Sequence, residues 1–283
     1  MHWAERIADE LIAENPGKEE FLCAAGTSPS GSVHIGNFRD VATPYFVVKA
    51  LRARGKKARL MLSWDDFDRL RKVPKNIAAI DPNFDKYLGM PYCKIPDPNG
   101  KCESFARYYE KEYEKSLARM GIDIEFRYQG DEYTSGRYVE GIIKAMHARK
   151  EIYDILMKYK TQDSDEGDRE NYYPISVYCS TCMKDYTQVI AYNEQTEEIT
   201  YKCKVCGKTE TVSLKDYHYA KLMWKIDWPM RWGVEGVDFE PGGIDHAAAS
   251  GSFVVAKEIA KEIFGVKVEN VTTVTVKGKL KRQ

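Results

Sequence analysis

Four cysteines stand in two close pairs, Cys179-x2-Cys182 and Cys203-x2-Cys206, with twenty residues between the pairs. Four thiolates at this spacing suit a tetrahedral zinc ion, and Gly207 eases the second turn. With four cysteine ligands no coordination position stays open, so Zn2+ is expected to be structural and to take no part in catalysis. The alternative is a set of reduced or disulfide-linked thiols. Cys23, Cys93 and Cys102 are scattered in the manner of ordinary thiols in a reducing compartment, which disfavours the disulfide version. A second segment with chemical potential is Pro29-Ser30-Gly31-Ser32-Val33-His34-Ile35-Gly36-Asn37. Where a small-residue loop opens a helix, free amides and the helix dipole attract an anion such as phosphate. Gly31 and Gly36 allow close approach, and His34 has a donor for phosphate oxygens. The same residues also describe a plain tight connection with a histidine cap.

These groups need elements to hold them. Met1 to Glu14 reads as an amphipathic helix with Trp3, Ile7, Leu11 and Ile12 on one side. Phe21 to Gly26 reads as a buried parallel strand, and the chain becomes helical from His34 to about Arg52. Lys57 to Trp64 is a second strand, so the first seventy residues form one βαβ unit and imply a parallel sheet. That strand ends in Asp65-Asp66-Phe67-Asp68, where Asp66 and Asp68 read as a solvated turn in preference to a metal site. Val73 to Lys101, rich in Pro, Asn, Asp and Gly, is expected to be a long, mostly irregular excursion. A helix over Glu103 to Met120, a strand over Asp123 to Tyr128 and one long helix over Gly136 to Tyr159 follow.

After an acidic linker at Thr161 to Glu170 the composition changes, and Tyr186 to Tyr201 alternates like the hairpin of a zinc ribbon. The pattern then returns to a strand over Leu222 to Ile226, a turn carrying Trp228-Pro229-Met230-Arg231-Trp232, a short strand near Val237 to Phe239 and a helix from about Asp245 to Phe264. Val266 to Gln283 reads as an edge strand with a basic tail. The organisation expected is an α/β domain over residues 1–160 and 218–265, an inserted zinc-binding module over 171–217, and a divergent basic tail over 266–283.

Basic and acidic residues balance at 43 each, so no global positive field announces a nucleic-acid partner. No export signal and no run of about eighteen apolar residues is seen, which points away from membranes and towards the cytoplasm.

The Pro29 to Asn37 segment resembles the His-Ile-Gly-His signature of class I aminoacyl-tRNA synthetases, with Asn37 in place of the last histidine, a variant typical of the class I lysyl enzymes. Four further segments resemble that family and occur in its order. They are Trp64-Asp65-Asp66-Phe67-Asp68-Arg69-x-Arg71-Lys72-Val73-Pro74, Tyr87-Leu88-Gly89-Met90-Pro91, Asp227-Trp228-Pro229-Met230-Arg231-Trp232, and Asp238-Phe239-Glu240-Pro241-Gly242-Gly243-x-Asp245-His246. The resemblance implies a Rossmann-like class I synthetase catalytic domain with an inserted zinc-ribbon module. It implies that lysine's carboxylate attacks the α-phosphorus of ATP, with Mg2+ as cofactor, and that lysine is then ligated to tRNA(Lys). Such chemistry depends on positioning and charge stabilisation more than on covalent help from the protein.

By the same resemblance His34 and Asn37 are the catalytic positions, and Ser30, His34, Gly36, Asn37 and Gly243 the ATP side. Gly26, Ser28, Asp65, Trp224 and His246 fall on the lysine side. Trp224 would pack on the lysine stem and Asp65, at a strand's C-terminal end, would pair with an ammonium group. Taken without the resemblance, Trp224 reads as core, Asp65 as a turn or cap, and Asp245-His246 as a helix start. The family's second signature, Lys-Met-Ser-Lys-Ser, has only a faint echo in Gly278-Lys279-Leu280-Lys281-Arg282, and the helical anticodon-binding region is unmatched. The expectation is therefore a truncated catalytic portion with impaired tRNA charging. The alternatives are a paralogue that adenylates lysine for another acceptor, and a zinc-dependent RNA-binding remnant.

Overall fold

Strands β1 (Glu20–Thr27) and β2 (Lys57–Trp64) are apolar along nearly their whole length, as strands covered on both faces must be. In the computed structural model, which describes residues 2–33, 35–159, 167–243 and 251–266, they pair in parallel with Gly26 opposite Ser63. Strand β3 (Glu125–Tyr128) adds in parallel to the other edge of β2, with Ser63 opposite Arg127. On the outer edge of β1, Phe239 makes a parallel bridge with Cys23, and its carbonyl accepts from the Ala24 amide at 2.7 Å. The expected short strand near Val237 is thus a single bridge that extends the sheet.

Alternation along the strands sends side chains to two cores. Phe21, Cys23, Ala25, Leu60 and Leu62 face helices α1 (Trp3–Glu14) and α2 (Ile35–Ala53). The apolar stripe Ala4, Ile7, Ala8 and Leu11 of α1 is buried there, as its spacing required. Leu22, Ala24 and Met61 face the opposite side, against Trp228, Trp232 and Phe253. The result is helices on both faces of a parallel sheet.

The excursion after β2 contains a short helix α3 (Lys75–Ala78) and two 3-10 turns, Phe84–Tyr87 and Tyr92–Lys94. It builds its own core from Leu70, Ile77, Phe84, Tyr92 and Ile95 against Phe105 and Tyr109 of α4 (Phe105–Arg119), so it is ordered by packing despite its loop-like composition. The long helix expected over Gly136 to Tyr159 is two shorter ones, α6 (Val139–His147) and α7 (Arg149–Lys158), and a separate short helix, α5 (Gln129–Thr134), precedes them. Gly136 has φ +83°, which ends helical geometry there. The second break, at Ala148, lets Arg149 donate to the carbonyls of Glu170 and Tyr172.

Strand β4 (Ile175–Val177) pairs antiparallel with β8 (Ala220–Leu222), a neck from which the cysteine segment emerges. Within that segment β5 (Thr187–Asn193), β6 (Glu198–Cys203) and β7 (Thr209–Ser213) form an antiparallel sheet. Its Ile199, Tyr201 and Cys203 share one continuous core with Phe67, Tyr133 and Ile142.

The Trp-rich turn is a correction: the segment is helix α8 (Trp224–Glu235), with Pro229 inside it. A proline in a helix interior costs roughly 3 kcal/mol. Burying the indoles of Trp228 and Trp232, about 200 Å² each at about 25 cal/mol/Å², outweighs that. The strand expected over Leu222 to Ile226 accordingly stops at Leu222. Helix α9 (Ser252–Ile259) runs into a π-helical turn at Ala260–Phe264. The expected start of this helix at Asp245, and the edge strand and tail beyond Val266, lie outside the described residues. Among the described residues no helix is long and apolar enough to cross a membrane.

Candidate active site and metal centre

Parallel strands present their C-terminal ends together, and loops there form the usual ligand crevice of such sheets. Register brings Gly26, Ser63 and Arg127 side by side, and the two-residue period puts Ser63 and Asp65 on the face towards α8. Helix α8 answers with two rows at i, i+4 spacing: Trp224, Trp228 and Trp232, and Asp227, Arg231 and Glu235. Arg231 is buried and donates to Ser63 Oγ at 2.9 Å and to Asp65 Oδ1 at 2.8 Å, and it lies 3.2 Å from Asp227 Oδ2. Its guanidinium also sits 5.3 Å from the Trp224 ring centre, and Trp224 stacks on Trp228 at 5.0 Å.

A second cation, the buried Lys221, pairs with Asp68 and stands 3.7 Å from Asp227, which also accepts from the Tyr133 hydroxyl. Glu240 accepts from the Trp232 indole at 2.7 Å. Burial pushes the Asp65 carboxyl up, against the pull of Arg231, and burial likewise raises Glu240. At Asp68 burial also opposes ionisation, but Lys221, by charge and hydrogen bond, and Arg231 hold its carboxyl below the usual range. Three carboxyls, those of Asp65, Asp68 and Asp227, therefore hold two fixed cations, Lys221 and Arg231, while Glu240 is anchored by Trp232.

A Cβ built on Gly26 would lie 3.7 Å from Glu240 Oε1 and 4.0 Å from Asp65 Oδ2. A narrow cavity runs past Gly26, Ser63, Gln129, Trp224, Arg231 and Glu240. Of the sequence-predicted lysine-side residues, Gly26, Asp65 and Trp224 are thus brought together, although Oδ1 of Asp65 is already engaged by Arg231. Ser28 is half-buried in the loop after β1. Ser30 is exposed in that loop, Gly36 is exposed and Asn37 half-buried in the first turn of α2, and Gly243 is exposed at the end of a described stretch. His34 and His246 lie outside the described residues. The solvated turn expected at Asp66 and Asp68 is a correction. Asp66 is buried and accepts from the Gly130 amide at 2.7 Å, and burial pushes its carboxyl up to about 7.

Sequence reading gave no role to Ser63, Gln129, Lys221, Asp227, Arg231 or Glu240. For Asp227 and Arg231 a signal existed in their i, i+4 spacing, hidden by the assumption that Pro229 marks a turn. For Lys221 and Asp68, 153 positions apart, no local signal exists.

The four cysteine sulfurs lie within 4.8 Å of one another, the one group of potential ligands so clustered among the described residues. Both pairs sit on matching knuckles. Met183 N donates to the Cys179 carbonyl at 2.8 Å and Gly207 N to the Cys203 carbonyl at 3.1 Å. In the same way the Cys179 amide donates to Lys184 O and the Cys203 amide to Lys208 O. Met183 and Gly207 both take the left-handed conformation, at φ +56° and +76°. Two such turns facing each other present four thiols to one point, which fits a tetrahedral Zn2+. The segment is fastened to the rest by Arg69 and Asp185 at 3.2 Å, by the Asp185 amide to Gly89 O at 2.9 Å, and by the Tyr178 hydroxyl to Phe67 O at 2.6 Å.

Residues 1–272 match the family described as tRNA synthetases class I (K). The chain is 40% identical over 295 aligned positions to a lysine–tRNA ligase of Streptomyces coelicolor, covering 93% of this chain and 51% of that relative. It is 40% identical over 264 positions to the lysine–tRNA ligase of Treponema pallidum, covering 93% and 49%. It is 40% identical over 265 positions to that of Pyrococcus horikoshii, covering 94% and 49%. The chain spans about half the length of these relatives. On the extent of the family match and the parallel-sheet architecture that accompanies it, the chain belongs to the class I tRNA synthetases of the K, or lysine, type.

Proposed function

We propose that this chain carries the lysine-activating site of a lysine–tRNA ligase, binding lysine and ATP with Mg2+, forming lysyl-adenylate and serving tRNA(Lys) in the cytoplasm. The observation that carries the reading is the narrow cavity at the strand ends, walled by Trp224 and Trp228, with Glu235 and Glu240 in its lining and Asp65 close to Gly26. A long cationic amino acid matches it: the aliphatic stem lies along an indole and the ammonium faces carboxylates.

In this reading Gly26, Ser28, Asp65, Trp224 and His246 line the lysine side. Asp65 acts jointly with Arg231, holding the strand end and helix α8 in one register. Ser30, His34, Gly36, Asn37 and Gly243 form the ATP side, with the N-terminal end of α2 towards the phosphates and His34 and Asn37 at the reacting centre. The residues expected to hold Zn2+ are Cys179, Cys182, Cys203 and Cys206, in an inserted zinc ribbon over residues 171–217; the ion would fix the two knuckles and supply no catalytic chemistry. Residues 1–160 and 218–265 make up the catalytic domain.

Tryptophan fluorescence tests the reading. Lysine binding changes the emission of the stacked Trp224 and Trp228 pair in a saturable way, and Trp224→Phe removes most of the change. A titration with lysine that leaves emission flat, with or without a non-hydrolysable ATP analogue, contradicts it.

A further inference from the structure

Gln129 is buried at the first position of α5, and its side chain is held from one end only. Its amide nitrogen donates to Ser63 Oγ at 2.8 Å, and the same Ser63 oxygen accepts from Arg231 at 2.9 Å. Asp66 holds the helix start by accepting from the Gly130 amide at 2.7 Å, which fixes the backbone that carries Gln129. The other end of the amide, Oε1, is buried and has no hydrogen-bond partner. The Tyr138 hydroxyl lies beside the same amide. Buried carbonyl oxygens are rarely left unpaired, because the lost hydration is not replaced. Gln129 lines the same cavity as Gly26, Trp224 and Glu240.

We infer that Gln129 is a specificity-determining residue of the lysine site, its Oε1 accepting a hydrogen bond from the side-chain ammonium of the amino acid. The inference rests on the proposed lysine-activating reading. An ammonium brings three donors. Gln129 shares the cavity lining with the carboxylates of Glu235 and Glu240, and Oδ2 of Asp65 would lie 4.0 Å from a Cβ built on Gly26. A neutral acceptor beside carboxylates adds direction without adding charge. A side chain of the same length ending in a methyl group would leave Oε1 unpaired, and sites built to hydrogen-bond a polar group reject analogues lacking it for this reason.

The test compares the chain and its Gln129→Met variant for binding of two non-hydrolysable adenylate mimics, lysyl and norleucyl sulfamoyl adenosine. The norleucyl mimic is the lysyl one with its terminal ammonium replaced by hydrogen, so it is one heavy atom shorter and offers no donor. Gln129→Met is expected to weaken the lysyl mimic roughly 10- to 100-fold, the range for losing a hydrogen bond to a charged group, and to leave the norleucyl mimic within a few-fold. Unchanged norleucyl binding also shows that the variant is folded. Gln129→Glu, which keeps an acceptor oxygen in the cavity, is expected to retain the preference for the lysyl mimic. Equal weakening of both mimics, or of neither, overturns the inference while leaving the lysine reading intact. So does tighter lysyl binding in Gln129→Met, the result if the amide were turned to present N–H groups to the cavity. Failure of the unaltered chain to bind the lysyl mimic overturns the lysine reading itself, and the inference with it.

Discussion

The guanidinium of Arg231 and the carboxylate of Asp65 form a buried ion pair at 2.8 Å that joins helix α8 to the end of strand β2. Removing one partner of such a pair strands the other in a low-dielectric site, at about 3–5 kcal/mol. Arg231→Met is therefore expected to lower unfolding stability by about that amount, measured by urea denaturation. Adding Asp65→Asn is expected to restore part of the loss, so the double variant falls short of the sum of the single ones. Strict additivity would show that the pair does not join the two elements.

The metal reading predicts one zinc per chain by elemental analysis. Because Tyr201 and Cys203 belong to the same core as Phe67 and Tyr133, a strong chelator is expected to reduce the stability of the whole chain and not only to loosen the cysteine segment. Cys203→Ser should lose the metal and show the same destabilisation. A chain that carries no zinc and melts identically with and without chelator contradicts this.

Gly89 sits at φ +87°, and a Cβ there would lie 2.6 Å from the ring of Tyr186. Gly89→Ala is expected to cost about 1–3 kcal/mol from left-handed strain and overpacking together, and to shift the cysteine segment against the excursion that follows β2. The double variant Gly89→Ala, Tyr186→Ala should recover the packing part only, leaving the backbone part. Thermal melts of the three variants separate the two contributions.

Much of the sheet was legible: β2 was expected over the residues it occupies, β1 and α2 within a residue or two, because two-faced burial leaves an apolar run with sharp ends. What local pattern concealed was long-range compensation. Pro229 reads as a turn until three indoles are seen to stack along one face of a continuous helix. Asp66 reads as solvated until Gly130, 64 positions away, is found donating to it. The residues of the cavity wall followed the same division. Gly26, Asp65 and Trp224 stood in recognisable segments, whereas Gln129 and Lys221 acquire a role only through partners distant in sequence.

Glu110 is buried on α4, and desolvation pushes its carboxyl up to about 8 although Arg107 lies 3.2 Å away. A carboxyl raised on folding binds a proton in the native state that the unfolded chain has already released. Its contribution to stability is thus fully favourable below its ordinary range, near pH 4.5, and is lost as pH rises towards 8. Glu110→Gln removes this dependence, so the variant is expected to be relatively more stable at pH 8.5 than at pH 5.5 when each is compared with the unaltered chain. An equal difference at both pH values would mean that Glu110 is ionised in the native state throughout.

Isothermal titration calorimetry with lysine, in the presence and absence of a non-hydrolysable ATP analogue and with arginine and ornithine as controls, tests the central claim most directly. The account predicts saturable lysine binding that exceeds binding of either control. Heats that do not saturate, or equal affinity for all three amino acids, would contradict it.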